Sequence, residues 1–282
     1  MQHTEGKFNT REGLELYHQA WLPAPKEHGE PKAVLTVIHG YGEHSGRYLN
    51  PVNYFVPRGF ALYAYDLRGH GKSPGPRGHI NRFDEYLSDT GAFLRFVRQL
   101  NPGRKLFLLG HSLGGLIVSA YVENYPTSDL SGLIMSSAFL GFKTQVPAVK
   151  AAVGRVMSSL MPAMTMKNDL SAALLSHDPA VVAAYDTDPL NHHVGTARFL
   201  TEVTTAQART LERAGEVKLP LLVMYAGDDQ IADPECSRVF FERAASADKT
   251  TRRYDGYYHE IFNETNKEVV FKDLESWLAG RV

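Results

Sequence analysis

Residues 106–115, LFLLGHSLGG, run four apolar side chains into a serine held between glycines. Gly110-His111-Ser112-Leu113-Gly114 fits G-x-S-x-G, the pattern of a turn that takes a buried strand directly into a helix. Such a turn forces its central residue into a strained conformation, and side chains at its flanks would clash, hence the glycines. The Ser112 hydroxyl is thereby presented at the end of a sheet and at a helix N-terminus, where it suits nucleophilic acyl chemistry.

A serine at its ordinary pKa is a weak nucleophile, so it needs a base, and the base needs an orienting acid. In this architecture they follow in the order serine, acid, histidine, each on a loop after a later strand. YAGDDQIAD (225–233) and RRYDGYYHE (252–260) occupy those places. His259 is the sole histidine beyond His193 and is the expected base. Asp228, Asp229 and Asp233 compete for the acid. Asp229, after the tight turn, is expected to point back to the sheet, and Asp228 to bind its own turn backbone. Acyl transfer also needs donors for the oxyanion: the backbone N–H of Leu113, and that of Tyr41 in HGYG (39–42) on an earlier loop.

These residues need a sheet to hold them. Apolar runs at 33–40, 60–71, 105–112, 130–138 and 219–229 are nearly continuous, as in parallel strands buried on both faces. Residues 14–22, LELYHQAWL, alternate more and read as an edge antiparallel strand. Helical spacing covers 83–100 and 113–125, the latter stopped by Pro126. The alternation then lapses over 141–215, with breakers at Pro147, Pro162, Pro179 and Pro189. So long a structureless loop is contrary to how compact domains connect, and a helical insertion capping the sheet is expected. The fold class is α/β, with a core of 1–140 and 216–282 and a helical cap of 141–215 roofing the carboxyl ends of the strands.

HGYGEHSGRY (39–48), YDLRGHGKSPGPRGH (65–79), GHSLGG (110–115), GDDQIAD (227–233) and YYHE (257–260) together resemble the monoacylglycerol lipase and lysophospholipase family of α/β-hydrolases. The resemblance runs nearly end to end, and GEHSGRY is its most specific block. It implies a serine hydrolase of single-chain acyl esters such as monoacylglycerols, and supports Asp229 as acid with Tyr41 and Leu113 as oxyanion donors. It also implies that Glu43 and Arg47 lie near the glycerol end of the pocket, where a loop-fixing ion pair is the competing reading. Mammalian-type relatives carry a second histidine three residues after the catalytic one, and here that place is Phe262, so the resemblance leaves head-group preference open. Lysophospholipase, carboxylesterase or thioesterase activity on the same scaffold are the alternatives, as is a non-catalytic small-molecule binding protein.

Composition bounds the rest. With 43% hydrophobic and 22% charged residues among 282, the chain affords a packed core, and its net charge of -1 gives no reason to expect a nucleic-acid partner. The lone cysteine, Cys236, excludes an intrachain disulfide and a cysteine-based zinc site. With no apolar leader in MQHTEGKFNTREG, a cytoplasmic location is expected. Residues 146–166 are rich in Ala, Val, Met and Leu, charged only at Lys150 and Arg155. They read either as core packing or as a lipid-facing helix making peripheral membrane contact, with Met157, Met161, Met164 and Met166 lining an acyl tunnel. Asp66 and His70 in YDLRGHG are expected to brace the loops near the oxyanion donor. Adjacent histidines such as His192 and His193, with Asp188, seldom aim at one ion, so neither metal nor cofactor is expected.

Overall fold

The computed structural model describes residues 1–24, 29–144, 148–168 and 170–282. The first half of the chain forms β1 (Gln2–Asn9), β2 (Glu15–Leu22), β3 (Ala33–Ile38), α1 (Leu49–Phe55), β4 (Phe60–Tyr65), α2 (Asp84–Leu100), β5 (Lys105–His111), α3 (Leu113–Asn124) and β6 (Gly132–Ser136). Then come α4 (Ala148–Leu160), β7 (Thr165–Lys167), α5 (Pro179–Thr187), β8 (Val194–Thr196) and α6 (Ala197–Arg213). The chain closes with β9 (Leu221–Ala226), α7 (Pro234–Arg243), β10 (Lys249–Tyr254) and α8 (Lys267–Ala279).

Eight strands make one sheet in the order β1-β2-β4-β3-β5-β6-β9-β10, in which β2 pairs antiparallel with both its neighbours and all other pairs are parallel. Every residue of β3, β4, β6 and β9 is buried, which is why their sequences are apolar without alternation. One face packs on α2 and α3 through residues such as Phe93, Val97, Leu116 and Ile117. The other packs on α1 and α8 through Phe55, Phe271, Leu274 and Trp277. The fold is the expected α/β-hydrolase architecture.

Residues 14–22 are not the sheet edge. β1 covers β2 along its whole length, from Gln2 opposite Leu22 to Asn9 opposite Glu15. QHTEGKFN escapes a hydrophobicity reading because, as the outermost strand, it buries only Phe8 fully. Its cover explains why residues 16–21 of β2 are all buried despite their mixed chemistry.

The stretch between β6 and β9 is built from α4, α5 and α6, together with a small antiparallel pair, β7 with β8, that the sequence did not suggest. Within the lipid-facing reading of 146–166, Val146 and Pro147 lie outside the described residues. α4 rests on α6, and α6 in turn buries Phe199, Val203 and Ala206 in the same core cluster as α3.

Candidate active site

β5 ends at His111, and α3 begins at Leu113, so Ser112 alone makes the corner, with φ 53° and ψ -119°. That conformation is strained for a residue with a side chain and persists because its surroundings fix it. A Cβ on Gly110 would meet the Gly114 carbonyl oxygen at 2.3 Å, and one on Gly114 would meet that of Ile38 at 2.0 Å. The corner therefore requires glycine on both sides of Ser112.

His259, on the loop after β10, brings Nε2 to 2.8 Å from Ser112 Oγ, and its Nδ1 donates to Asp229 Oδ2 at 2.7 Å. With Nδ1 protonated, Nε2 is the acceptor that faces the serine. All three side chains are buried. Asp229 Oδ1 accepts from the N–H groups of Ile231 (2.8 Å) and Ala232 (2.9 Å), so it is Asp229 that binds its own turn backbone. The sequence reading gave that task to Asp228, which is exposed; Asp233 instead caps α7 through the N–H of Glu235.

Two imidazoles stand side by side here, His111 and His259, with centroids 5.0 Å apart. Burial lowers both, and the neighbouring His259 helps push His111 down to about 4. For His259 burial is outweighed by Asp229, with Glu260 and Glu43 behind it, and the net shift is upward from 6.5.

The loop carrying Tyr41 comes in tight: a Cβ on Gly40 would lie 3.1 Å from Ser112 Cβ. The Gly40 N–H donates to Glu43 Oε1 at 2.6 Å, and the Tyr41 hydroxyl donates to the Val194 carbonyl of β8. Leu113, first residue of α3, has an N–H beyond the reach of intrahelical acceptors. Asp66 braces this region as expected, accepting from the Ser45 N–H (2.8 Å) and hydroxyl (2.5 Å) and from the Lys72 N–H (2.7 Å). His70 packs between His39 and His192.

Ser112, Leu113, Tyr41 and His259 line one cavity of about 440 Å³. Most of its wall is apolar, from Phe139, Phe142, Leu174, Phe199 and Ile231 among others. Glu43 and Arg47 line it too and are paired at 2.8 Å, so the loop-fixing ion pair is present at the cavity wall itself. Although burial pushes Glu43 up, Arg47, then His111 and His39, hold it down to about 2. Of the four methionines suggested for an acyl tunnel, Met166 is in the lining. Asp188 turns to His44 at 2.9 Å, away from any shared ligand with His192 and His193, and no group of three potential metal ligands gathers among the described residues.

The sequence profile of the family described as serine aminopeptidase, S33, matches residues 29–266. The chain belongs to this family. Among similar proteins, the monoacylglycerol lipase of Mycolicibacterium smegmatis is 34% identical, covering 99% of this chain and 98% of that protein. Phospholipase YtpA of Bacillus subtilis is 32% identical, covering 86% and 93%. The crystal structure of the Paleococcus ferrophilus monoacylglycerol lipase matches with a TM-score of 0.82 at 33% identity, over all of both chains. The resemblance drawn from the motifs is borne out: this S33-family chain is an ester hydrolase with the α/β-hydrolase fold.

The motifs of the family did not reveal Glu260 or Tyr185. Glu260 holds Arg47 through both carboxylate oxygens, at 2.5 and 2.8 Å, and the Tyr185 ring covers that guanidinium at 4.8 Å. Glu260 adjoins His259 in YYHE, but no spacing rule links position 260 to position 47.

Proposed function

We propose that this protein hydrolyses monoacylglycerols to glycerol and fatty acid through an acyl-enzyme. Ser112 attacks the ester carbonyl as His259 takes its proton, Asp229 holds the imidazole, and the Tyr41 and Leu113 N–H groups stabilise the oxyanion. His259 then protonates the departing glycerol oxygen, and in the second half it deprotonates the water that releases the acid. The observation that carries this reading is the linked Ser112, His259 and Asp229 at the wall of a largely apolar 440 Å³ cavity. The similarity to the two monoacylglycerol lipases supports the choice of ester.

In this reading 141–215 is a cap over a core of 1–140 and 216–282, and the enzyme meets its substrate at a membrane surface from the cytoplasmic side. Support for the membrane contact comes from α4, where Val153, Val156 and Leu160 are 57%, 57% and 74% exposed, followed by half-exposed Met161. At i, i+3 and i+7 the first three share one helical face. No helix among the described residues is long and apolar enough to cross a membrane.

Initial rates on monoacylglycerol, diacylglycerol, triacylglycerol, lysophosphatidylcholine and a nitrophenyl ester of one acyl chain, with Ser112→Ala as blank, test the proposal. Preference for monoacylglycerol supports it. Turnover confined to lysophosphatidylcholine would favour the lysophospholipase reading that the likeness to YtpA keeps in view.

A further inference from the structure

Glu260 takes part in none of these steps, yet it is only 4% exposed and lies in the cavity wall. Its two oxygens take Nη1 and Nη2 of Arg47, and Asn263 Nδ2 donates to Oε2 at 2.8 Å. Nη1 of Arg47 also reaches Glu43 Oε2 at 2.8 Å, while Glu43 Oε1 accepts from the Gly40 N–H and, at 2.9 Å, from the Tyr48 hydroxyl. Two buried carboxylates thus share one guanidinium, leaving one net negative charge. Asp229 adds another nearby, and His259 adds no compensating charge while it is the neutral base. The other lysine or arginine among the described lining residues, Lys167, is exposed on β7.

His259 Nε2 has to reach the leaving oxygen to protonate it, so the alcohol half of the ester departs on the side of His259, which shares the cavity wall with Glu260 and is close enough to feel the charges of Glu260 and Glu43. The apolar lining remains for the acyl half. We propose that Glu260, by more than neutralising Arg47, makes the alcohol end of the cavity selective for uncharged polyol leaving groups and against phosphate-bearing ones. This deepens the monoacylglycerol reading and rests on it. A phosphate there meets no unengaged guanidinium and stands beside like charge where water screens it poorly. A glycerol hydroxyl instead donates to the carboxylate lone pairs that remain. The same field favours expulsion of the fatty acid carboxylate once it forms.

The test compares kcat/KM for a 1-acylglycerol and its 3-phosphate, with one acyl chain and below aggregation, in wild type and Glu260→Gln. Glutamine keeps the shape and an amide oxygen for Arg47 while removing the charge. The ratio of phosphate ester to neutral ester should rise on the order of tenfold in the variant, whatever loss both substrates share. Equal changes on the two substrates would make Glu260 merely structural and overturn the proposal. If Glu260→Gln does not fold, binding to Ser112→Ala decides. That protein should hold a 1-alkylglycerol ether on the order of tenfold more tightly than the ether's 3-phosphate, and equal or reversed affinities would overturn the proposal. Wild type no faster than Ser112→Ala on monoacylglycerol would instead sink the proposed function, leaving the ether comparison to judge Glu260 separately.

Discussion

The carboxyl edge of the sheet and the stretch between β6 and β9 obey different rules. At the edge, glycines are fixed by contacts a Cβ cannot share, and Asp229 has both oxygens bonded. Between β6 and β9, α4 turns Val153, Val156 and Leu160 to solvent, and the residues lent to the cavity are mainly apolar side chains, such as Leu174 and Phe199, that differ little in chemistry. Proton transfer demands fixed residue types at near-fixed distances, whereas holding an acyl chain demands only apolar volume. The edge is thus constrained by identity, and the stretch between β6 and β9 by shape.

Substitutions should separate the two. Ser112→Ala should lower kcat by about 10⁶ while leaving the thermal midpoint within a few degrees; substantial residual turnover in the active-site-titrated protein would place the nucleophile elsewhere. Asp229→Asn should cost about 10⁴ in kcat, because the amide no longer fixes the imidazole tautomer. The pH profile sharpens this result. Neutral His259 is the reactive form and its folded pKa is raised, so kcat/KM should be high above that pKa and fall as pH drops through a midpoint above 6.5. Asp229→Asn should move the midpoint down, and a flat profile in wild type from about pH 8 to pH 5 would contradict the assignment of His259. The smallest catalytic effect is expected in α4. Leu160→Asp should weaken co-sedimentation with phospholipid vesicles on the order of tenfold and leave hydrolysis of a soluble short-chain ester within about twofold. Unchanged sedimentation would remove α4 from the membrane contact.

The same division decides what the sequence discloses. Ser112 and His259 are legible because their neighbours announce them: Gly110 and Gly114 have no freedom, and His259 has no rival past position 193. Asp229 could be preferred over Asp228 and Asp233 by its place in the turn, but its bonds to Ile231 and Ala232 depend on the folded loop. β1 was hidden because an outermost strand need not be apolar, and the β7 with β8 pair because three residues per strand carry no period. Glu260 and Arg47 lie 213 residues apart, so their joint anchoring is a tertiary fact without a local trace.

The loop that presents Tyr41 is bonded to the segment around β8. The Tyr41 hydroxyl holds the Val194 carbonyl, the His192 N–H holds the Gly42 carbonyl at 2.9 Å, and the Thr196 N–H holds that of Gly78 at 3.0 Å. The first two of these bonds tie residues 192–194 to the loop whose Tyr41 N–H is proposed to meet the oxyanion, and the third ties β8 to the separate loop at Gly78. On this margin the two pieces of backbone are laced into one unit, so a substitution that displaces residues 192–194 is felt at the peptide of Tyr41 as well.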